Sequence, residues 1–342
     1  MFTVIRAGVV AAALAAGALG LAPAPASAAT PTFDRTVAYV RDGNVYTSRG
    51  ATERRITDGG GHSRPRWSPD GRRLAYLRSG LLWVMNADGT AKRRLTTRPA
   101  AGPAWSPDGQ WLAFASAGCT GGPAVYRISA AAAGAQPEAL FPTECRGETP
   151  PAVAAAVPPA GGTLPDRLRS DDALAWSPDG TRIAFRDGMC GAIYDACLSL
   201  GTVATGAERV VAAYGGGGRE FSGFAVIPSF RADGKAMSWT AYQIGHDAAT
   251  TLPVHLVEHN LATGQQRRLG AAEDRELAYA GTARAAVTGR HRGGSWIISL
   301  DLATGARAPF HAGSQPAVQP GRTSPVPGTP AGGRFGRRRG GA

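Results

Sequence analysis

The sequence predicts an all-β protein, a six-bladed β-propeller of four-stranded antiparallel blades, and three observations support this fold class. The letters WSPDG occur three times, at 67–71, 105–109 and 176–180. Each copy introduces short apolar runs separated by turn residues, and units of roughly 40 to 50 residues are typical of propeller blades. Several runs, such as LAYL at 74–77, are apolar on both strand faces, as expected where small sheets stack face to face.

The first unit, at 36–57, contains three strand-like runs and lacks a first strand of the WSPDG type. The stretch SQPAVQPGR at 314–322 aligns with GPAWSP at 102–107, with Val318 in the place of the tryptophan and Pro320 in that of the proline. We therefore expect residues 315–319 to pair with 36–40 as the innermost strand of the first blade. The N- and C-terminal strands would then close the ring and leave no exposed sheet edge there.

The three WSPDG copies are expected to form the turns between the first and second strands of their blades. Proline fixes φ at about −65°, aspartate can bond its neighbouring backbone, and glycine accepts a positive φ. We expect the tryptophans to pack between blades, the glycines to start the second strands, and none of these residues to be catalytic. The repeat residues are Trp67, Pro69, Asp70, Gly71, Trp105, Pro107, Asp108, Gly109, Trp176, Pro178, Asp179 and Gly180.

Two later units are more degenerate. FRADGK at 230–235 replaces the WSPDG motif, and LAY at 277–279 opens a last unit that contains WIISL at 296–300. A second kind of turn, ending in ATG, recurs at 203–206, 261–264 and 302–305 between the third and fourth runs. The sequence therefore contains six units.

The repeat resembles that of the TolB-like six-bladed propellers, in which WSPDG is followed by an apolar strand of the LAF type. The resemblance covers residues 33–320. It implies the propeller fold and leaves the function open. TolB itself carries an α/β domain before its propeller, and we expect that domain to be missing here.

Residues 1–28 have the pattern of a secretory signal peptide, with Arg6, an apolar run at 7–22 and the small-x-small site Ala26-Ser27-Ala28. The run is short for a membrane anchor, and no later segment approaches the roughly 20 apolar residues that span a bilayer. We expect an exported, extracytoplasmic, monomeric protein that is cleaved near Ala28 and does not span the membrane.

The four cysteines, Cys119, Cys145, Cys190 and Cys197, fit an oxidising compartment and resemble no zinc site. An even number in an exported chain predicts two disulfides. We expect Cys119–Cys145 and Cys190–Cys197, because both pairs fall on the side of the long loops; four free, buried thiols are the alternative.

The formal net charge is +12, and the segment 321–342 holds five arginines and no acid. We expect the propeller to occupy 29–320 and the segment 321–342 to be a disordered basic tail. Such a tail could bind anionic lipid or an anionic cell-wall polymer, whereas export argues against nucleic acid. A solvated tail without a partner is the alternative.

The stretch HLVEH at 255–259 imitates the H-x-x-E-H zinc motif, which works only on a helix. Here it aligns with the third strand of a blade, where His255 and His259 would lie about 13 Å apart. The sequence also lacks the G-x-S-x-G elbow of a serine hydrolase, since GHSRP at 61–65 misses the last glycine. We expect no metal, no cofactor and no catalytic residue.

The long segments fall on one face of the predicted ring. Segments 119–123, 188–197 and 243–253 join second to third strands, and 143–172 and 214–223 join blades. Insertions gathered on one face usually mark the binding face. The polar residues that could line it are His62, Asp171, Asp172, Asp187, Arg219, Glu220, His246 and Asp247.

We expect a non-catalytic propeller that binds a protein, a peptide or a cell-envelope component on this face. The alternative is a polysaccharide-acting, lyase-like enzyme with a metal site at the channel. Three or more His, Asp or Glu side chains gathered at the channel mouth would favour the enzyme.

Deletion of residues 321–342 should leave the melting temperature almost unchanged, because a segment of this composition buries little apolar surface. Differential scanning fluorimetry of the full-length and shortened chains measures the difference. A fall of more than a few degrees would show that the tail docks on the propeller. If the tail binds an anionic surface, that binding should weaken steeply with salt.

Overall fold

The computed structural model describes residues 33–132, 134–148, 164, 168, 171–186, 196–214, 222–245, 249 and 251–321. The signal peptide expected at 1–28 and nearly all of the expected tail lie outside these ranges. Within them the chain forms 24 strands and one short 3-10 helix at Thr143–Cys145, and the strands assemble into six four-stranded antiparallel sheets. No helix of the described part is long and apolar enough to cross a membrane.

Each sheet is one blade, and its four strands follow one another from the axis of the ring to its rim. Blade I contains, in that order, β24 (Ser314–Val318), β1 (Val37–Arg41), β2 (Asn44–Arg49) and β3 (Thr52–Arg55). Blade II contains β4 (His62–Trp67), β5 (Arg73–Arg78), β6 (Leu81–Asn86) and β7 (Arg93–Pro99). Blade III contains β8 (Ala101–Trp105), β9 (Trp111–Ala117), β10 (Pro123–Ser129) and β11 (Glu138–Phe141).

The other three blades follow the same order. Blade IV contains β12 (Ala175–Trp176), β13 (Arg182–Arg186), β14 (Ala196–Thr202) and β15 (Glu208–Tyr214). Blade V contains β16 (Ser222–Phe230), β17 (Ala236–Ile244), β18 (Leu252–Asn260) and β19 (Gln266–Leu269). Blade VI contains β20 (Arg275–Tyr279), β21 (Arg284–His291), β22 (Gly294–Asp301) and β23 (Arg307–Ala312).

The ring closes as the sequence predicts. Strand β24 pairs antiparallel with β1, with Val37 opposite Val318 and Ala38 opposite Ala317. The late strand is therefore the innermost strand of the blade that holds the first strand of the chain. The predicted fold class, six antiparallel blades closed by early and late strands, is confirmed.

The apolar core lies between blades. Buried clusters occur at all six junctions, and each combines side chains from two neighbouring blades. Strand β5 shows why its run is apolar on both faces. Tyr76 packs in the cluster with blade I, whereas Ala75 and Leu77 pack in the cluster with blade III. Strand β5 therefore contributes a large aromatic side chain to blade I and smaller side chains to blade III.

The WSPDG segments form the predicted turns between first and second strands, and their serine holds each turn together. The Ser106 hydroxyl donates to Asp108 Oδ1 at 2.5 Å and accepts the backbone N–H of Trp111 at 2.9 Å. Gly109 has a φ of 70° inside the turn. The same contacts recur at Ser68 and Ser177. The expectation that the glycine starts the second strand is therefore wrong, because that strand begins two residues later.

The tryptophans of the repeat tie neighbouring blades together in two of three cases. The indole N–H of Trp67 donates to the carbonyl of Ala317 in blade I at 3.2 Å. That of Trp105 donates to the carbonyl of Arg66 in blade II at 3.0 Å. Trp176 packs against the cluster between blades III and IV, but its N–H donates to Gly180 of its own turn.

Truncation after Phe310 should destabilise the whole domain, whereas truncation after Arg322 should not. The shorter chain loses β24, so β1 loses its inner partner and Trp67 loses its carbonyl acceptor. Thermal unfolding of the two truncated chains, followed by circular dichroism, measures the effect. Equal melting temperatures would contradict closure through residues 314–318.

Candidate binding site at the propeller axis and on the loop face

Two faces of the ring are distinguished by their connections. The turn face carries the first-to-second and third-to-fourth strand turns. The loop face carries the second-to-third strand loops and the connections between blades. The described strands that flank the five long segments of the sequence end on the loop face.

The innermost strands share a bulge that no sequence motif signalled. Three residues before the last residue of each inner strand, the backbone takes a left-handed φ in five blades, and the strand register shifts there. We call these the ring positions, and from blade I to blade VI they are Gln315, Arg64, Gly102, Ala173, Ile227 and Glu276. Ala173 does not share the left-handed φ. Non-glycine residues adopt this conformation at a cost, and such positions cluster at functional sites.

The side chains of Arg64, Asp171 and Glu276 meet at the axis. They come from blade II, from the connection before blade IV, and from blade VI, which are not neighbours in the ring. The Arg64 guanidinium donates to Asp171 Oδ2 and lies with Nη1 3.1 Å from Glu276 Oε1. Only 4% of the Arg64 side chain and 6% of the Glu276 side chain are exposed. We call Arg64, Asp171, Glu276, Thr288 and Gln315 the axial cluster.

Hydrogen bonds hold the axial cluster in place. Glu276 Oε2 accepts the Thr288 hydroxyl at 2.5 Å and the backbone N–H of Gln315 at 3.0 Å. Gln315 Oε1 in turn accepts the backbone N–H of Arg64 at 2.7 Å. Asp171 Oδ1 accepts the backbone N–H of Ala173 at 2.9 Å. The closing strand β24 is therefore bonded to blades II and VI at the axis.

Burial and charge act in opposite directions on this cluster. Burial alone would raise the pKa of Glu276, but the charge of Arg64 and the bonds from Thr288 and Gln315 lower it overall. Burial alone would lower the pKa of Arg64, and the charges of Asp171 and Glu276 raise it instead. Both groups are therefore charged at neutral pH.

Three of the eight candidate residues on the loop face, His62, Asp171 and Asp172, lie among the described residues. His62 is buried, contacts the carbonyl of Gly43 through Nδ1, and has a pKa lowered by burial. Asp171 belongs to the axial cluster. Asp172 accepts Arg186 Nε at 2.6 Å. The remaining five, Asp187, Arg219, Glu220, His246 and Asp247, lie outside the described residues.

A cleft opens on the loop face between blades III and IV, with a volume of about 330 Å³. Val125, Phe141 and Phe185 form its apolar floor. Thr120 and Glu144 are exposed at its rim. It also contains Pro123, Pro142, Asp172, Arg186 and Glu208. Apolar walls with a few polar groups are the usual composition of a ligand site.

The turn face carries a larger depression of about 1300 Å³ over blades I to III. Its lining is largely polar and includes Arg35, Arg49, Arg72 and Gln319. Two of its three aspartates, Asp70 and Asp108, accept bonds within their own turns. Connection lengths in the sequence pointed only to the opposite face, so this depression was not predicted.

The disulfide prediction is confirmed for Cys119–Cys145, whose Cα atoms are 5.5 Å apart. This bond joins the β9–β10 loop to the 3-10 turn after β11, next to the loop-face cleft. Cys197 is also disulfide-bonded, while Cys190 lies outside the described residues. Disulfides of this kind fit an oxidising compartment.

The H-x-x-E-H stretch lies on β18, the third strand of blade V, as predicted. His255 and His259 are buried, and burial lowers the pKa of both. His255 Nδ1 contacts the carbonyl of Pro253 at 2.7 Å. Glu258 accepts Arg267 at 2.7 Å and the Tyr279 hydroxyl at 3.0 Å. Within the described ranges, no three His, Cys, Asp or Glu residues are grouped as metal ligands.

A serine, a histidine and an acid meet at the junction of blades VI and I. Ser48 Oγ lies 2.9 Å from His311 Nε2, and His311 Nδ1 lies 3.5 Å from Glu53 Oε1. This order is that of a nucleophile, a base and an orienting acid. Ser48, however, is only 1% exposed, and Glu53 also accepts bonds from Tyr39 and Arg41. The group therefore stabilises the closing junction rather than presenting a nucleophile.

These features define an all-β protein of the six-bladed propeller class, with a charged axis and a cleft on its loop face. Its fold is similar to that of TolB from Acinetobacter baumannii, with a TM-score of 0.62 and 15% identity over 85% of this chain and 68% of that one. It is also similar to putative TolB from Agrobacterium tumefaciens, with a TM-score of 0.56 and 15% identity over 82% of this chain and 91% of that one.

A further solved structure with a similar fold is Kuenenia stuttgartiensis hydrazine synthase, with a TM-score of 0.52 and 12% identity over 83% of this chain and 46% of that one. No protein-family model matches the chain, and no curated protein matches it in sequence. At these identities the similarity establishes the fold, and the function has to be argued from the residues.

Replacing Arg64 by Met should destabilise the protein by about 3–5 kcal/mol at neutral pH, because it leaves the buried Glu276 carboxylate without its ion-pair partner. The triple variant Arg64→Met, Asp171→Asn, Glu276→Gln should recover much of this loss. Chemical denaturation of the parent and both variants measures the free energies of unfolding.

The pH dependence of stability should differ between the parent and Arg64→Met. In the parent the pKa of Glu276 is lowered by folding, so its contribution is present above the ordinary value and lost as the pH falls. Without Arg64 the pKa of Glu276 should rise relative to the parent, so the stability difference between Arg64→Met and the parent should shrink on acidification. A deficit that stays constant between neutral and acid pH would contradict the axial ion pair.

Proposed function

We propose that the protein is an exported, non-catalytic propeller that binds a protein, a peptide or a cell-envelope component on its loop face. The binding site in this proposal is the cleft between blades III and IV. The observation that carries it is the composition of the cleft, an apolar floor with charged residues at its edge. A side chain of a partner could bury apolar surface there, while polar groups at the rim fix its orientation.

The cleft is held by rigid parts of the fold. Its floor is formed by paired strands of two blades, and Phe141 and Phe185 stack with ring centroids 5.0 Å apart. The Cys119–Cys145 bond fixes the rim next to Thr120. A rigid site limits the conformational entropy that is lost on binding. The polar depression on the turn face lacks a comparable apolar floor.

The contacts at the axis support binding over catalysis. The lyase-like alternative needs carboxylates or histidines that are free to hold a metal in the channel. Asp171 and Glu276 are the acids of the axial cluster, and the Arg64 guanidinium lies between them. A cation would have to displace that guanidinium, which is 4% exposed and bonded to Asp171.

Replacing Thr120 by Trp should fill the cleft and weaken partner binding at least tenfold. Thr282→Trp is the matched control, because Thr282 is also exposed but lies on the turn face. The mature protein and both variants are immobilised and incubated with the secreted and cell-envelope fractions. A component captured by the parent is then purified, and its dissociation constant is measured for each protein.

The proposal requires that Thr120→Trp loses binding and that Thr282→Trp keeps it. Equal binding by the parent and both variants would place the site elsewhere, and turnover of an envelope polysaccharide by the parent would favour the enzyme. Melting temperatures of the three proteins should agree, which separates a blocked cleft from a misfolded one.

A further inference from the structure

The axis of the propeller contains buried hydrogen-bond donors that have no acceptor. Nε and Nη1 of Arg64 make no hydrogen bond in the described structure, although the side chain is 4% exposed. The ion pair between Nη1 and Glu276 Oε1 does not have hydrogen-bond geometry. Buried donors are nearly always satisfied, so these atoms call for a partner.

Most acceptors that surround Arg64 are already bonded, and the exception, Glu276 Oε1, lies 3.1 Å from Nη1 as its ion-pair partner. Asp171 accepts through both oxygens, from Arg64 and from the backbone of Ala173. Glu276 Oε2 accepts two bonds, and Gln315 Oε1 accepts the backbone N–H of Arg64. The side chains at the ring positions of blades III, IV and V offer no further acceptor, since they are Gly102, Ala173 and Ile227.

A second arginine adds to the excess of donors. Arg66 lies near enough to Arg64, Asp171 and Glu276 to feel their charges, and no carboxylate among the described residues pairs with it. Among the described residues, the only hydrogen bond of its side chain runs from Nη1 to the carbonyl of Pro65 at 2.9 Å. Burial, followed by the charge of Arg64, lowers its pKa to about 10, so it is charged at neutral pH. Its side chain is partly exposed, so solvent reaches it.

We propose that a small monoanion, such as chloride or a carboxylate group, binds at the axis between Arg64 and Arg66. Water is the poorer occupant, because it brings two donors of its own to a place where the free donors of Arg64 and Arg66 outnumber the free acceptor, Glu276 Oε1. An anion only accepts. The two arginines and the two acids balance in charge, so one negative charge is tolerated more easily than two. This site is separate from the loop-face cleft, and the inference does not rest on the proposed function.

The test measures the melting temperature at constant ionic strength while sodium gluconate is replaced by sodium chloride or sodium formate, up to about 100 mM. Gluconate is the bulky reference anion. An anion that binds only the folded state raises the melting temperature with its concentration, and we expect a saturable rise of a few degrees in the parent. A response to both small ions indicates a general monoanion site, and a response to formate alone indicates one for carboxylate groups.

Arg66→Met should abolish this response. In gluconate its melting temperature should not fall below that of the parent, because the variant removes a desolvated cation that has no carboxylate partner. Arg94→Met is the matched control, since Arg94 is exposed on β7, and it should keep the response. Thr120→Trp should also keep it, which separates this site from the cleft.

Equal melting temperatures in all three salts would show that the axis holds water only and would overturn the proposal. An undiminished response in Arg66→Met would place the anion elsewhere and overturn it as well. If Arg66→Met does not fold, Arg66→Gln replaces it, and the chloride-35 NMR line width reports binding directly. Broadening in the parent that Arg66→Gln abolishes supports the site, and its absence in the parent contradicts it.

Discussion

The structure depends on closure of the ring, because a single blade cannot cover its own apolar faces. Each blade buries side chains against both neighbours, and apolar clusters fill all six junctions. An open row of blades would leave two of these faces in water. Strand β24 prevents this by completing blade I, where Ala317 joins the cluster shared with blade II. The Ser48, Glu53 and His311 contacts add polar bonds to the junction on the other side.

The repeated and the varied parts of the blades serve different purposes. The turns repeat because each must reverse the chain in the same way, and Ser, Asp and Gly do so by the same bonds in blades II, III and IV. The ring positions differ in every blade, although five of them share one backbone conformation. Identical side chains there would crowd the axis, and identical charges would repel one another. The ion pair between Arg64 and Glu276 avoids both problems.

Much of the fold could be predicted from the sequence because it is encoded locally. Pro, Asp and Gly specify the turns, and the alignment of Val318 with Trp105 revealed the closing strand. The axial cluster could not be predicted in the same way. Arg64 and Glu276 are far apart in the sequence, and neither residue type signals a left-handed φ. Counting three residues back from the last residue of each inner strand, which is aromatic in every blade except the first, would have located the ring positions.

The candidate site was predicted only in part. Connection lengths identified the loop face, since insertions are tolerated where strands leave the sheet. They did not reveal that His62 and Asp171 are engaged in internal contacts, because those partners come from distant segments. The apolar floor of the cleft was also missed. Phe141 and Phe185 look like ordinary strand residues, and only the packing of blade III against blade IV places them under an opening.

The position of β24 in the chain has a consequence for biosynthesis. Strand β1 is made early, but the strand that pairs with its inner edge is made last, roughly 15 to 60 seconds later at typical ribosome speeds of about 5 to 20 residues per second. During that interval the inner edge of β1 has no partner, and Val37 and Tyr39 lack part of their final surroundings. The chain can therefore fold cooperatively as a closed ring only after β24 has been made and has paired with β1. Partly made chains are exposed to aggregation and proteolysis until then, so translational pauses before residue 314 prolong the vulnerable period.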